Sequence, residues 1–257
     1  MVKLYVSEIE DEEFKMTQLI TPPTHLIRVY DLLVATYGMP QNEPDYDPLG
    51  GLIGTILSQH TSDINSGRAY QQLIATFPTW EEVRDAPTHE VAAAIRSGGL
   101  ANVKAPRIQN ALLTLTEQQI EKGATGSLSD YLYSELTQRT PEAAWHYLQS
   151  LPGVGPKTAA CVMMFNLDRA IMPLDTHVHR TSQRLGLIGP KVNADKAHLI
   201  FARVLPPEWV YPLHVNLITH GRQICHAQRP ACAKCALYQQ CVYVGSTNVQ
   251  ETAIPYS

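Results

Sequence analysis

Four cysteines confined to one short stretch constrain this chain more than any other feature of its sequence. The stretch CHAQRPACAKCALYQQC holds, in 17 residues, the spacing C-x6-C-x2-C-x5-C, formed by Cys225, Cys232, Cys235 and Cys241. The N-terminal residues lack the apolar segment of a secretory signal, so we expect a cytoplasmic protein whose thiols stay reduced. Four clustered thiols then predict a metal site around which this loop must fold.

The spacing favours one kind of metal site over another. Zinc ribbons usually present two C-x2-C pairs, whereas this loop has one such pair, Cys232 and Cys235, and two cysteines at wider spacing. A compact loop around a four-iron four-sulfur cluster (4Fe-4S) fits this spacing better than zinc does. The fifth cysteine, Cys161, lies among apolar residues and is predicted to be a buried structural thiol.

Hydrophobic periodicity predicts an all-α chain. Apolar residues recur at three- and four-residue spacing in stretches such as HLIRVYDLLVATYG and PEAAWHYLQSL, and glycines and prolines separate these stretches. We find no strand-like alternation and expect about ten short helices. Residues 40–48 and 122–141 resemble linkers, the second with a short helix, and residues 246–257 resemble a tail. No apolar run reaches the roughly 18 residues of a membrane helix, so we expect no membrane partner.

The distribution of charge points to a polyanionic partner, although the net charge is −4. Residues 1–149 carry 10 Lys/Arg and 19 Asp/Glu, a net charge of −9, whereas residues 150–257 carry 10 and 5, a net charge of +5. Ordinary surface variation is one explanation of this asymmetry. The other is that the C-terminal part forms a face that binds a polyanion such as DNA.

The stretch LPGVGPKTAA, residues 151–160, predicts two helices joined by a turn that can bind an anion. Gly153 and Gly155 permit positive φ angles and close backbone approach, and Pro156 fits the first turn of a helix. Free N–H groups at that helix N-terminus can bind a phosphate. Lys157 falls on the same first turn, where the helix dipole and an expected partial burial disfavour the ammonium form. The neutral amine that results is a nucleophile.

Asp175 is predicted to lie near this lysine. The helix that begins beside Lys157 extends roughly 15 Å to about residue 166, and the extended stretch AIMPL returns over roughly 16 Å. Asp175 also precedes the helical stretch THVHR, as an N-cap residue does. An N-capping carboxylate stays ionised, so it can stabilise a positive charge that develops next to the lysine.

Three motifs in this order resemble the endonuclease III family of DNA glycosylases, which belongs to the helix–hairpin–helix, Gly-Pro-Asp superfamily. They are LPGVGPKTA, LDTHVHR and the four-cysteine loop. The resemblance implies an all-α fold of two lobes with the active site at their seam. One lobe is a six-helix barrel, residues 41–169. The other is the iron–sulfur cluster lobe, residues 170–257, against which residues 1–40 pack.

The resemblance also implies a reaction. Lys157 would attack C1′ of a nucleotide flipped out of damaged double-stranded DNA and displace its base. A Schiff base and β-elimination would then nick the strand, with Asp175 assisting. A lysine at this position is typical of bifunctional glycosylase/AP lyases that remove oxidised pyrimidines such as thymine glycol. We expect a monomeric base excision repair enzyme.

Several residues are predicted to contact DNA. ILSQHTSD and GGLANVKAPRI resemble the two loops with which this family probes the duplex. The family often fills the gap left by the flipped base with a glutamine. A gap-free alignment puts His60 there, with Gln59 just before it. We expect DNA contacts from both loops, from the hairpin and from the cysteine loop, at Gln59, His60, Leu100, Gly153, Val154, Gly155, Arg229 and Lys234.

Two other functions stay open at this stage. A relative in the same superfamily could act on pyrimidine dimers or on uracil and thymine mispaired with guanine. A protein of another class would be a non-catalytic helix–hairpin–helix module that binds DNA and holds a structural cluster. Binding alone requires neither Lys157 nor Asp175, and this argues against the second alternative.

Overall fold

The computed structural model describes residues 23–245, and all regular secondary structure among these residues is helical, with no β-strand. Three 3₁₀ turns (Arg96–Gly98, Cys232–Lys234, Tyr238–Gln240) and a π-helical segment (Val162–Asn166) accompany the α-helices. The α-helices are α1 (Thr24–Tyr37), α2 (Pro48–Ser58), α3 (Asp63–Thr76), α4 (Trp80–Asp85), α5 (Thr88–Ala94), α6 (Ala101–Glu121), α7 (Leu128–Thr137), α8 (Pro141–Gln149), α9 (Pro156–Cys161), α10 (Thr176–Leu185), α11 (Ala194–Val204) and α12 (Pro207–Gln223). The all-α prediction is confirmed. The predicted tail, residues 246–257, lies outside the described residues.

Local sequence sets where most of these helices begin. A side-chain oxygen at the N-cap accepts a backbone N–H in seven of them, which satisfies one of the donors that a helix start leaves unpaired. The capping residues are Asp47, Ser62, Thr79, Ser127, Thr140, Asp175 and Asn193. Proline occupies the first turn of several helices, where its missing N–H has no cost.

The chain forms two compact units, and one of them is the continuous segment Glu43–Ile171. Its central element is α2, which packs against α3, α6, α7 and α9. Leu49, Leu52, Ile53, Ile56 and Leu57 of this helix are almost completely buried. A helix that is apolar on all sides belongs in the middle of a bundle, because each of its faces meets another helix.

The stretch 122–141, predicted to be a linker with a short helix, is part of this unit. Its helix α7 packs against α2, α6 and α8. The Glu135 carboxylate of α7 forms ion pairs with Lys122 Nζ and Arg139 Nη2, each at an N–O distance of 2.6 Å. The short helix predicted there is confirmed as α7, but the stretch is not a linker, because the apolar residues of α7 form one buried face within a polar stretch.

The second unit combines both ends of the chain, described over residues 23–42 and 172–245. Helix α12 packs against α1 and α10. Tyr30 of α1 stacks on Trp209 of α12 with ring centroids 4.0 Å apart, and His25 hydrogen-bonds to the Leu185 carbonyl. The boundary between residues 42 and 43 falls inside the predicted linker 40–48. Within residues 23–245, every helix is too short or too polar to cross a lipid bilayer.

Candidate functional site

The hairpin LPGVG joins α8 to α9 and exposes the start of α9. The Val154 N–H closes the turn on the Leu151 carbonyl at 3.1 Å, and Gly153 has φ = +77°. A Cβ at Gly153 would come within 2.5 Å of the Arg107 side chain, so both conformation and space require glycine there. Gly155 is the N-cap of α9 and offers no side chain to its first N–H groups. These groups are therefore available to an anion.

Lys157 lies on the first turn of α9, as predicted, but its side chain is exposed. The prediction of partial burial is wrong: Lys157 is exposed at the start of α9, and burial begins with the next residues, Thr158, Ala159 and Ala160. Among the predicted contacts in the hairpin, Gly153 and Gly155 are exposed. Val154 differs, because its side chain is buried and only its backbone can reach a ligand.

Gln59 is held inward by hydrogen bonds to two other elements of the same unit. Its Oε1 accepts a hydrogen bond from Arg107 Nη1 at 2.9 Å, and its Nε2 donates to Thr158 Oγ1 at 3.3 Å. Arg107 belongs to α6 and Thr158 to α9. The amide of Gln59 therefore connects the loop after α2 with the hairpin helix.

His60 and Leu100 both adopt a left-handed backbone conformation. Their φ angles are +57° and +51°, a conformation that costs a residue with a Cβ free energy. Both side chains are exposed, and Leu100 is the N-cap residue of α6. An exposed leucine in a strained turn contributes little to folding, so its position favours a role in contact with a ligand.

Lys104 is a residue of this region that the sequence reasoning missed. Its side chain is only 1% exposed, and its ammonium donates to the carbonyls of Leu57 and Gly98 at 2.7 and 2.8 Å. Burial, and then the Arg107 guanidinium, lower the pKa of Lys104 below its usual value. The signal was present in the sequence, because position 104 shares the helical face of the buried residues Ile108 and Leu115.

Asp175 belongs to the second unit and caps α10. Its Oδ1 accepts the Val178 N–H at 2.7 Å, which confirms the predicted cap. The carboxylate is half-buried. One oxygen is used by the cap, so the carboxylate has capacity for a further positive group.

The four predicted cysteine ligands line one pocket of the second unit together with His220, Arg184 and apolar side chains. Cys225 is buried, and Cys232, Cys235 and Cys241 are half-buried. Burial is the main cause that raises the pKa of the Cys235 and Cys241 thiols, and the neighbouring cysteines add to it. The pocket by itself thus disfavours thiolates, and a bound cationic metal centre would offset that cost.

Two arginines on α10, four residues apart, fix the start of the cysteine loop. Arg180 donates to the carbonyls of Gly221 and Cys225. Arg184 donates to the carbonyls of His226 and Ala227, and its Nη1 lies 3.4 Å from the Cys225 sulfur. Sequence reasoning missed both arginines. Their four-residue spacing, which puts both arginines on one face of α10, was the available signal.

His220 connects the pocket to α1. Its Nδ1 lies 2.9 Å from the Tyr37 hydroxyl and its Nε2 lies 3.6 Å from the Cys235 sulfur. Burial lowers the pKa of His220 to about 4, so the imidazole is neutral at neutral pH and carries one N–H. When Tyr37 donates to Nδ1, that N–H is on Nε2 and faces the sulfur. Arg229 and Lys234, the two predicted phosphate contacts of the loop, are exposed.

Comparison with known proteins identifies the family. The family described as "HhH-GPD superfamily base excision DNA repair protein" matches residues 53–207, which include the hairpin, Lys157 and Asp175. The chain belongs to this superfamily.

Relatives within the HhH-GPD superfamily narrow the likeness to endonuclease III. Endonuclease III of Thermotoga maritima is 30% identical over 204 residues, which cover 79% of this chain and 87% of that protein. An Arabidopsis thaliana protein named "Putative DNA glycosylase" is 36% identical over 200 residues, or 77% of this chain. This chain spans 65% of the length of that plant relative.

Solved structures agree with this assignment. A non-covalent complex of endonuclease III with DNA covers 87% of this chain and 97% of its own, with a TM-score of 0.68 and 26% identity. A trapped covalent intermediate of endonuclease III with DNA has the same TM-score at 25% identity. The chain is therefore an endonuclease III-like DNA glycosylase of base excision repair with the predicted two-lobed all-α fold, and its partner is DNA.

Proposed function

We propose that this protein is a bifunctional DNA glycosylase and AP lyase that removes oxidised pyrimidines from damaged double-stranded DNA as a monomer. The observation that carries the proposal is the exposed Lys157 amine on the first turn of α9, directly after the hairpin glycines. Phosphates that bind the free N–H groups of α9 would bring the deoxyribose close to this amine. A primary amine can form a Schiff base with a sugar, which is the step that allows strand cleavage.

The reaction consists of bond exchanges at one sugar. The Lys157 Nζ forms a bond to C1′ while the glycosidic bond breaks, and the base leaves with the electron pair and takes up a proton. Loss of a proton from nitrogen and opening of the sugar ring give a Schiff base between Nζ and C1′. Removal of a proton from C2′ then expels the 3′ phosphate, and water hydrolyses the Schiff base to free the lysine.

Asp175 supplies a negative charge during base release. The sugar gains positive charge as the glycosidic bond breaks, and a fixed carboxylate stabilises that charge. The cap bond from the Val178 N–H holds the carboxylate in one orientation. Preorganisation of this kind avoids the reorganisation that water would need.

The gap that the flipped nucleotide leaves in the duplex is assigned to His60 and Leu100. Gln59 is the poorer candidate for filling the gap in the duplex, because both ends of its amide are engaged by Arg107 and Thr158. His60 is exposed and follows at once. We infer that His60 fills the gap and faces the opposite base, and that Leu100 wedges the stack on the other side.

Phosphate contacts come from the hairpin and the cysteine loop. Exposed Arg229 and Lys234 lie between the cysteines, on a loop that Arg180 and Arg184 hold in place. A rigid loop loses less conformational entropy when it binds a phosphate than a mobile one does. These contacts position the enzyme on DNA and carry no information about sequence.

We propose that Cys225, Cys232, Cys235 and Cys241 hold a 4Fe-4S cluster. The C-x6-C-x2-C-x5-C spacing favours a cluster over zinc, and the four cysteines line one pocket. That arrangement fits a larger centre in which each thiolate binds a different iron. Such a cluster ties the loop to the rest of its unit when bound.

A lesion panel tests the proposed function. Duplexes carrying thymine glycol, a pyrimidine dimer, or uracil or thymine opposite guanine are incubated with the protein, and base release and strand nicking are measured separately. We expect release and nicking together on thymine glycol. Activity confined to a dimer or a mismatch would overturn the substrate assignment. Base release without nicking would overturn the lyase assignment. Binding with neither reaction would identify a non-catalytic module.

A further inference from the structure

Burying the Lys104 ammonium costs folding free energy, and a structural role alone does not account for that cost. The ammonium is removed from water, and Lys104 lies in the first turn of α6, where the helix dipole is unfavourable to a cation. An apolar residue would fill the same space without either cost. The two carbonyls to which Lys104 donates therefore need explanation.

Both carbonyls lie at the end of a helical segment just before a displayed side chain. The Leu57 carbonyl is among the last four of α2, which have no partner within that helix, and His60 follows three residues later. The Gly98 carbonyl ends a 3₁₀ turn, and Leu100 follows two residues later. One ammonium thus caps the two segments that lead into the two left-handed turns.

Arg107, one turn further along α6, extends the same arrangement to the hairpin. It donates to Gln59 next to His60, and its side chain packs over Gly153. Helix α6 therefore contacts all three segments that the proposed function assigns to DNA in this unit. A helix is a rigid element, so contacts made from one helix fix the distances between the segments.

We propose that Lys104 is a positioning residue that sets the spacing between His60 and Leu100, so that both enter the duplex together. This inference rests on the proposed function, which assigns those two residues to the gap that the flipped nucleotide leaves in the duplex. The strain of two left-handed residues persists only where the surroundings hold it, and the two hydrogen bonds from Lys104 supply that support.

The test compares Lys104→Met with Gln109→Met. Gln109 is also buried on α6, but it donates to the carbonyls of Val83 and Ala86, at the end of α4. Both variants remove buried hydrogen bonds from one helix, so both should lower the melting temperature. We expect Lys104→Met alone to speed amide hydrogen exchange at residues 58–61 and 97–100. Gln109→Met should instead speed exchange at residues 83–88.

Two functional measurements are made on each variant: the single-turnover rate of damaged-base release and the affinity for undamaged DNA. Lys104→Met should slow release on the order of 100-fold, the scale of a misplaced contact, while affinity for undamaged DNA stays close to the wild-type value. Wild-type exchange at both loops in Lys104→Met would overturn the inference, as would equal losses of release in the two variants. If Lys104→Met does not fold, Lys104→Gln replaces it, since Gln keeps two donors on a shorter side chain. The same two outcomes, hydrogen exchange at both loops and base release compared with Gln109→Met, then decide. Hydrogen exchange needs no DNA, so failure of the proposed function in the wild type stays separate from failure of this inference.

Discussion

The Asp175 carboxylate caps α10 and is also proposed to stabilise positive charge on the sugar. Asp175→Asn separates the two roles, because Asn caps a helix about as well as Asp does. We expect the melting temperature to stay near the wild-type value while base release slows about 100-fold or more. Single-turnover kinetics and thermal unfolding of the same preparation measure the two effects. Normal release with a lowered melting temperature would make Asp175 a cap only.

At the scale of single residues, the sequence predicted which residues stand at helix starts better than it predicted which side chains are buried. Lys157 and Asp175 occupy the helix starts that their neighbours in sequence indicated. The exposure of Lys157 was not predictable, because it depends on which helices pack against α9. The burial of Lys104 had only a periodic signal, the helical face that it shares with Ile108 and Leu115. Burial is a property of tertiary packing, and one sequence shows only its periodic component.

At the scale of elements, the cysteine loop should depend on its metal for order. Cys235→Ser removes one proposed ligand, and metal binding is coupled to folding. We expect about four irons per chain in the wild type, a large loss of iron in Cys235→Ser and a lower melting temperature. Cys161→Ser is the matched control, because Cys161 is a buried thiol of the other unit and should leave the iron content unchanged. Zinc without iron in anaerobically prepared wild type would contradict the cluster assignment.

The elements themselves were largely predictable, since helix starts depend on local capping residues. The stretch that holds α7 was predicted to be a linker with a short helix, although α7 packs into its unit. Its buried residues are separated by serine, aspartate and glutamate, and a polar stretch of this kind resembles a linker until its apolar face is seen against α2. The π-helical segment Val162–Asn166 was not predicted in that form. A π-helix differs from an α-helix by one hydrogen-bond register, and periodicity over five residues does not resolve that difference.

At the scale of the whole molecule, DNA affinity should fall steeply with salt despite the net charge of −4. The excess positive charge lies in residues 150–257, and each neutralised phosphate contributes about −0.9 to the slope of log affinity against log salt. Arg229→Gln and Lys234→Gln should each make the slope less steep by about one contact. Lys122→Gln serves as the control, because Lys122 is paired with Glu135. An unchanged slope in both loop variants would remove the cysteine loop from the DNA interface.

The fold class was predictable at this scale because three motifs, each with a distinct physical role, occur in one order. The preferred lesion and the preferred opposite base were not predictable. Both depend on the side chains that contact the flipped nucleotide and the base opposite it. His60 in place of the family's frequent glutamine illustrates this. An imidazole and an amide offer different hydrogen bonds to an opposite base, and the sequence alone does not rank them.

The central claim is that the Lys157 amine forms a covalent bond with the sugar, and borohydride trapping measures that bond directly. The wild type is incubated with thymine glycol duplex and borohydride, beside Lys157→Ala and Lys196→Ala. Lys196 is the matched control, since it is also an exposed lysine on the first turn of a helix, α11. We expect a cross-linked complex with the wild type and Lys196→Ala, none with Lys157→Ala, and lesion binding retained in all three. A cross-link that survives in Lys157→Ala, or that is absent from the wild type on every lesion of the panel, would contradict the account.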